Sequence, residues 1–293
     1  PRGAVTLDRL HDLYSESSTG VAIHYNDPMQ AEIYSQHIHD HHFAGYPSGK
    51  IARDKKTLML FEPTRNLFYE EVVKPPHSVF DVAAKLSGNE LLITVEYQFT
   101  DSVTQDWRVG CIVVEDGVTG GVGYEQFNSY SGGASGKMGG YENLPSPVPA
   151  SQMVYNHVAR AFVPHPEGAA LYTRAYFKGE NDVFTFNVEL KEDWDTDSLS
   201  LIPVLFRPDS TIDNVDYLSL ADALSNNFES GLAVIYPNPA DRELHIKMAS
   251  KQSATVDIYS MDGRLVKTEN ISGKKTTLDI ESLLSGMYTV VIT

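Results

Sequence analysis

Residues 79–101, VFDVAAKLSGNELLITVEYQFTD, restrict the fold more than any other stretch. Apolar and polar residues alternate on both sides of Ser87-Gly88-Asn89, which is the period of strands with one buried face joined by a tight turn. A hairpin this long has an apolar face that other strands must cover, and segments of the right kind follow at the spacing of a sandwich. They are DWRVGCIVVEDGVTG from Asp106, AALYTRAYFKG from Ala169, DVFTFNVEL from Asp182 and LSLIPVLFRPD from Leu199. Cys111, the single cysteine, lies within one of these runs and reads as an inert core thiol. One cysteine also excludes an internal disulfide and a thiolate-rich zinc site.

The rest of the chain divides around this centre. At 293 residues there is room for two or three domains. The expected fold is multidomain and mainly β, with an α/β segment over residues 1–75, a jelly-roll-like β-sandwich over 76–228 and a small Ig-like β-sandwich over 229–293. In the first segment Ala4, Leu7, Leu10, Leu13 and Tyr14 recur at helical spacing. TGVAIHYND reads as a short buried strand. A second helix is expected from Asp27, its cap, through Pro28 to a stop at Gly45. KIARDKKTLMLF returns to period two, and LFYEEVVKPP reads as a helix ended by Pro75 and Pro76. After a short helical segment in VDYLSLADALSNNFES, the composition breaks near Ser230, and strands alternate with Pro-Asn-Pro, Asp-Gly and Ser-Gly.

Charge narrows the partners. With 39 acidic and 23 basic residues the net charge is -16, which repels nucleic acid and anionic lipid. No apolar run approaches the roughly 18 residues of a membrane-spanning helix. The chain starts at Pro1 without an apolar leader, so any signal peptide is expected outside the sequence.

Three stretches hold candidate chemistry. In QHIHDHHFAGYPSG, His37, Asp40 and His41 share one face of the expected helix, and a divalent metal ion or a solvated polar face both account for them. The solvated face is favoured, because no second cluster completes a coordination shell. The glycine-rich loop from Gly117 to Ala150 carries Tyr124, Phe127, Tyr130, Tyr141 and Asn143. Exposed aromatics beside amides suit a sugar ring or a protein partner, while the plainer reading, tyrosines covering the sandwich edge, is preferred. His157 and the acids of DWDTDS match no hydrolase or calcium-loop pattern.

The final sixty residues resemble the C-terminal sorting domain of type IX secretion cargo in Bacteroidetes-type bacteria. The resemblance rests on YPNPA, DIYSMDGRLV and LDIESLLSGMYTVVI, and its marker residues are Tyr236, Pro237, Asn238, Pro239, Asp262, Gly263, Arg264 and Gly286. It implies a secreted or outer-membrane cell-surface protein that reaches its place through the periplasm, with the type IX translocon as partner. That family continues with one further basic strand, so the last strand of the domain is expected to be missing at Thr293.

The middle resembles the 28-kDa outer-membrane-protein family, through CIVVEDGVTGGVGYEQFNSY, MGGYENLPSPVPASQMVYNHVARAF and NVDYLSLADAL. In that family the β-domain follows a thioredoxin-like domain whose CxxC motif runs into PRG and a helix. The resemblance implies that residues 1–75 are thioredoxin-like, that a CxxC pair lies upstream of Pro1, and that Tyr46-Pro47 is the cis-proline step. No catalytic residue is then expected within the chain. The expected function is that of exported cargo with a β-sandwich that binds an unknown surface ligand. The alternatives are a thiol-disulfide oxidoreductase in full-length form and a metal-dependent adhesin.

Overall fold

The computed structural model describes residues 2–15, 17–31, 47–171, 175–226, 233–236, 240, 242–260, 264–286 and 288–292. The chain is mainly β and divides into two units, Pro1–Asn226 and Asn227–Thr293.

The first unit opens with helix α1 (Arg2–Tyr14), a hairpin of β1 (Gly49–Ile51) and β2 (Lys55–Thr57), and helix α2 (Phe61–Val72). The buried face of α1 holds Thr6 and Leu10, while Leu13 is exposed, so the inward stripe is rotated from the apolar spacing in the sequence. The Thr6 hydroxyl donates to the Met59 carbonyl at 2.8 Å, and the Tyr14 and Phe68 rings meet at 5.2 Å, which fastens α1 to α2. The expected strand at TGVAIHYND is reduced to one parallel bridge between Ala22 and Val158. The expected helix after Asp27 lies mostly outside the described residues, although Asp27 Oδ1 accepts the Met29 N–H at 2.9 Å, as a capping residue does.

The hairpin of β3 (Ser78–Ser87) and β4 (Glu90–Phe99) turns through Gly88 at φ +64°, and β8 (Asn181–Glu189) pairs with the other edge of β4. A second, six-stranded sheet contains β5 (Arg108–Glu115), β6 (Val158–Val163), β7 (Ala169–Ala170), β9 (Leu199–Phe206), β10 (Ile212–Val215) and β11 (Leu218–Ser219). Helix α3 (Leu220–Ser225) follows, capped by the Ser219 hydroxyl.

The two sheets differ in wetting. Burial along β4 alternates, whereas β5 is buried from Val109 to Glu115 and β9 over its whole length. On one face of β5 and β9, Val109, Val113, Leu201 and Leu205 join Ile93, Val95 and Phe186 in a core shared by both sheets. Tyr97 crosses that core, donating its hydroxyl to the Gly110 carbonyl at 2.8 Å. On the other face, Ile112, Val114, Ile202, Val204 and Phe206 form a second core that Val21, Ile23 and Ala31 help to cover. Continuous apolar runs such as CIVV are the sequence form of a strand buried on both sides. Burial pushes the Cys111 thiol up to about 12, so it stays protonated and unreactive.

In the second unit β13 (Glu243–Ser260) is the spine. It pairs with β12 (Ala233–Tyr236) near its start and with β15 (Tyr288–Ile292) near its end, and β14 (Leu265–Asp279) runs along its other side. Leu244, Ile246, Val256, Ile258, Ile271 and Leu278 make its core.

Two glycines with similar backbone angles give a direct test of this packing. A Cβ on Gly168, at φ +70°, would lie 2.7 Å from the Val109 carbonyl oxygen and 2.9 Å from the Phe206 ring, whereas one on Gly88 meets nothing within 4 Å. Gly88→Ala is expected to cost about 1 kcal/mol for the left-handed backbone alone. Gly168→Ala should cost at least about 2 kcal/mol, because the clash is with backbone and a core ring. Urea unfolding followed through Trp107 and Trp194, both buried in the first unit, measures the difference.

Candidate functional site

The strand β5 ends at Glu115 and β6 begins at Val158, so the forty-two residues between them form one excursion that leaves and re-enters the sheet at the same end of two neighbouring strands. Its base is closed by bridges between Val118 and Tyr155 and between Gln126 and Val148. Met29, Val118, Val148, Met153 and Tyr155 pack beneath it, with Tyr124, Tyr141 and Leu144 partly buried against them. Asn128, 2% exposed, organises the turn. Its amide nitrogen donates to the carbonyls of Tyr141, Leu144 and Pro145 at 2.7, 3.2 and 3.2 Å, and its Oδ1 accepts the Tyr130 N–H at 3.0 Å. Glu142 accepts the N–H groups of Met138 and Gly140 at 2.8 and 3.0 Å, and these bonds hold its carboxyl below the ordinary value.

This scaffold sorts the aromatic residues singled out in the sequence. Tyr124 and Tyr141 face the small core, Phe127 is 73% exposed, and Asn143 lies exposed in a short 3-10 turn. Phe127, with Val122 and Val154, is among the apolar side chains this region presents to solvent.

At the base of the excursion lies a polar cluster that sequence reasoning missed. His157, just before β6, is 4% exposed and holds φ +59°, a conformation uncommon for a residue with a side chain. Its backbone N–H donates to Asp116 Oδ1 at 2.6 Å, and its ring lies between that carboxylate, 3.4 Å from Nδ1, and Asp8 Oδ1, 3.8 Å from Nε2. From α1, the His11 ring stands 5.2 Å from the His157 ring and 6.2 Å from that of Tyr217. The Tyr217 hydroxyl accepts from Ser200 at 2.9 Å and donates to Asp116 Oδ2 at 3.4 Å. The Nδ1 atoms of His11 and His157 are buried without a hydrogen-bond partner.

Burial, opposed by the flanking carboxylates, lowers the pKa of His157, and burial raises that of Asp8. The cluster is therefore suited to exchanging protons. It offers no paired nucleophile, since the hydroxyls of Ser200 and Tyr217 bond each other and Asp116. No spacing motif marks these residues: Asp8 and His11 share one helix, and the others are spread between positions 116 and 217. The one hint was a histidine between polar Asn156 and the apolar run VARAF.

Next to it a second carboxylate is fully matched. Glu115 Oε2 accepts from Arg160 at 2.7 Å, Glu115 Oε1 accepts the Asp195 N–H at 3.0 Å, and the Arg160 guanidinium lies 5.8 Å from the Trp194 ring.

Of the other expected site residues, Pro47 stands against the start of α1, where a Cβ on Gly3 would lie 2.9 Å from the Pro47 Cβ. Tyr46, His37, Asp40 and His41 lie outside the described residues, as do Pro237, Asn238, Pro239, Asp262 and Gly263. Tyr236 ends β12, and the Arg264 carbonyl accepts the Ser260 N–H at 2.9 Å. Gly286 precedes β15. Among the described residues, no three His, Cys, Asp or Glu side chains converge to hold a metal ion, and no helix is long and apolar enough to cross a membrane.

Against known families, residues 234–293 match the secretion system C-terminal sorting domain. This match indicates export by the type IX secretion system, interaction with its machinery, and secretion or attachment at the cell surface. No curated protein matches the chain.

Asn128→Ala removes the acceptor for one backbone N–H and the donors for three carbonyls. It should cost about 2 kcal/mol and raise amide exchange at Tyr130 at least about tenfold, with Val113 in β5 unchanged. Amide hydrogen exchange read by NMR checks this.

Proposed function

We propose that this chain is exported cargo that works at the cell surface or outside the cell. In this reading its second unit is the signal bound by the type IX translocon, and its first unit carries a binding surface on the excursion between β5 and β6. The match over residues 234–293 carries the export half of this reading. The surface half is supported by the Phe127 side chain, held out on a loop that Asn128 and Glu142 keep in one conformation, because a pre-ordered aromatic binds at low entropic cost. The partner suited to such a loop is a surface glycan or protein.

A second reading, a thiol-disulfide oxidoreductase in full-length form, is favoured by one contact. Pro47 packs on Gly3 in the first turn of α1, and the order helix, Pro47, β1–β2 hairpin, α2 is what a thioredoxin-like segment requires after its CxxC. The helix start would lower a thiolate's pKa there, and Pro47 would border the mixed disulfide. This reading depends on a CxxC preceding Pro1.

Deletion of residues 233–293 should leave the first unit in the periplasm of its host, and fusion of those residues to a periplasmic reporter should move the reporter to the surface or medium. Fractionation and immunoblotting read both, and export of the deleted form would refute the signal assignment. Phe127→Ala should weaken binding of a glycan or protein ligand at least tenfold, by about 1.4 kcal/mol or more, with folding unchanged. Insulin reduction by the natural full-length protein, lost on Cys→Ser change, tests the second reading.

A further inference from the structure

We propose that His157 is a proton-operated latch, which holds the N-terminal segment against the six-stranded sheet while its ring is neutral and loosens that contact when the ring is protonated. The latch is placed where the two parts of the first unit join. The His157 carbonyl accepts the Ala22 N–H at 2.6 Å, and the Ala22 carbonyl accepts the Ala159 N–H at 2.9 Å, so the backbone of His157 is itself part of the junction. Its ring fills the space between α1 and the end of β5.

Every described titratable group around it has an assigned position. Asp8 and His11 face it from α1, with Asp12 acting on Asp8 along the same helix. Asp116 faces it from the end of β5. Tyr217 lies beyond, against His11 and Asp116, and Tyr141 of the excursion faces Asp8. Two features make this a switch and not only a packed polar contact. His157 Nδ1 is buried without a hydrogen-bond partner, and Asp8 and Asp116 are each partly exposed, so a proton can reach the ring by way of a carboxylate.

The sign follows from the direction of each shift. His157 is harder to protonate when buried than when hydrated, so its contribution to docking is fully present above the ordinary histidine value, near 6.5, is lost as pH falls from there to its lowered value, and changes no further below it. Asp8 acts in the opposite sense: its acid form is favoured when docked, so protonating Asp8 restores part of the loss. The net effect of mild acidification is set by the histidine, since carboxylates take up protons last.

The test is amide hydrogen exchange of the full chain from about pH 8 to about pH 5, corrected for intrinsic exchange rates. Protection of the Ala22 and Ala159 amides should fall by up to about tenfold for each pH unit between the ordinary histidine value and the lowered one and then level off, while Val95 and Val113, in the cores of the two sheets, keep theirs. His157→Asn, which tolerates the positive φ and carries no titrating proton, should abolish the fall. An equal fall in that variant, or none in the unaltered protein, overturns the proposal. Should His157→Asn not fold, Asp8→Asn on the half-exposed side of α1 decides instead. It removes a charge that favours the protonated ring, so the midpoint must move to lower pH, and an unmoved midpoint overturns the latch.

Discussion

Burial of β5 and β9 on both faces governs the rest of the first unit. One face is covered by the three-stranded sheet, with Tyr97 reaching across to Gly110. The other cannot be left to water: a surface of Ile112, Val114, Ile202, Val204 and Phe206 exposed together is an aggregation hazard. The N-terminal segment closes it, through Val21, Ile23 and Ala31 and the bridge of Ala22 to Val158. The hairpin β1–β2 is fixed to the same region, where the Ala52 carbonyl accepts the Ile212 N–H at 2.8 Å and the Arg53 guanidinium lies 4.7 Å from the Phe206 ring. At the opposite end of this segment, Asp213 accepts from the His77 N–H at 2.8 Å and from Arg207 at 2.9 Å, fixing where the chain enters β3.

The same requirement explains why polar residues collect where they do. A strand that is apolar on both faces must become polar where it leaves the sheet, and β5 does so at two successive carboxylates whose side chains point to opposite faces. Glu115 turns inward and is paired with Arg160, so either partner alone would be a buried charge costing about 3 to 5 kcal/mol. Asp116 turns toward α1, where its neighbours are imidazoles instead of a guanidinium. The chemistry differs accordingly: an arginine holds its charge at every accessible pH and makes a permanent tie, whereas a histidine makes a conditional one.

How much of this the sequence carries depends on the distance between partners. The β3–β4 hairpin is legible because its two strands are adjacent and each has one wet face, so the period of two survives. The strands β5 and β9 are legible as strands, but their second covered face is not, because its cover comes from residues 21–31, some eighty or more positions away. The face of α1 is misjudged for the same reason. Spacing favours Leu13 as a core residue, yet α1 is packed on two sides, by α2 through Tyr14 and by His157, just before β6, through Asp8 and His11, which leaves Leu13 outside. In the glycine-rich excursion the sequence marks the aromatic residues but not their roles. What separates inward Tyr124 and Tyr141 from outward Phe127 is Asn128, a small residue whose importance lies in four backbone partners that only the folded loop brings within reach.

The second unit follows a simpler plan. Its apolar cluster is assembled from residues between Ile235 and Ile292. The alternation along β13 supplies most of that cluster's buried residues: Leu244, Ile246 and Met248 in the half that borders β12, then Ala254, Val256 and Ile258 in the half that borders β15. One long strand thus carries two short ones end to end. Because β13 lies at the centre of this cluster, substitutions inside its core should undermine the packing of the unit as a whole.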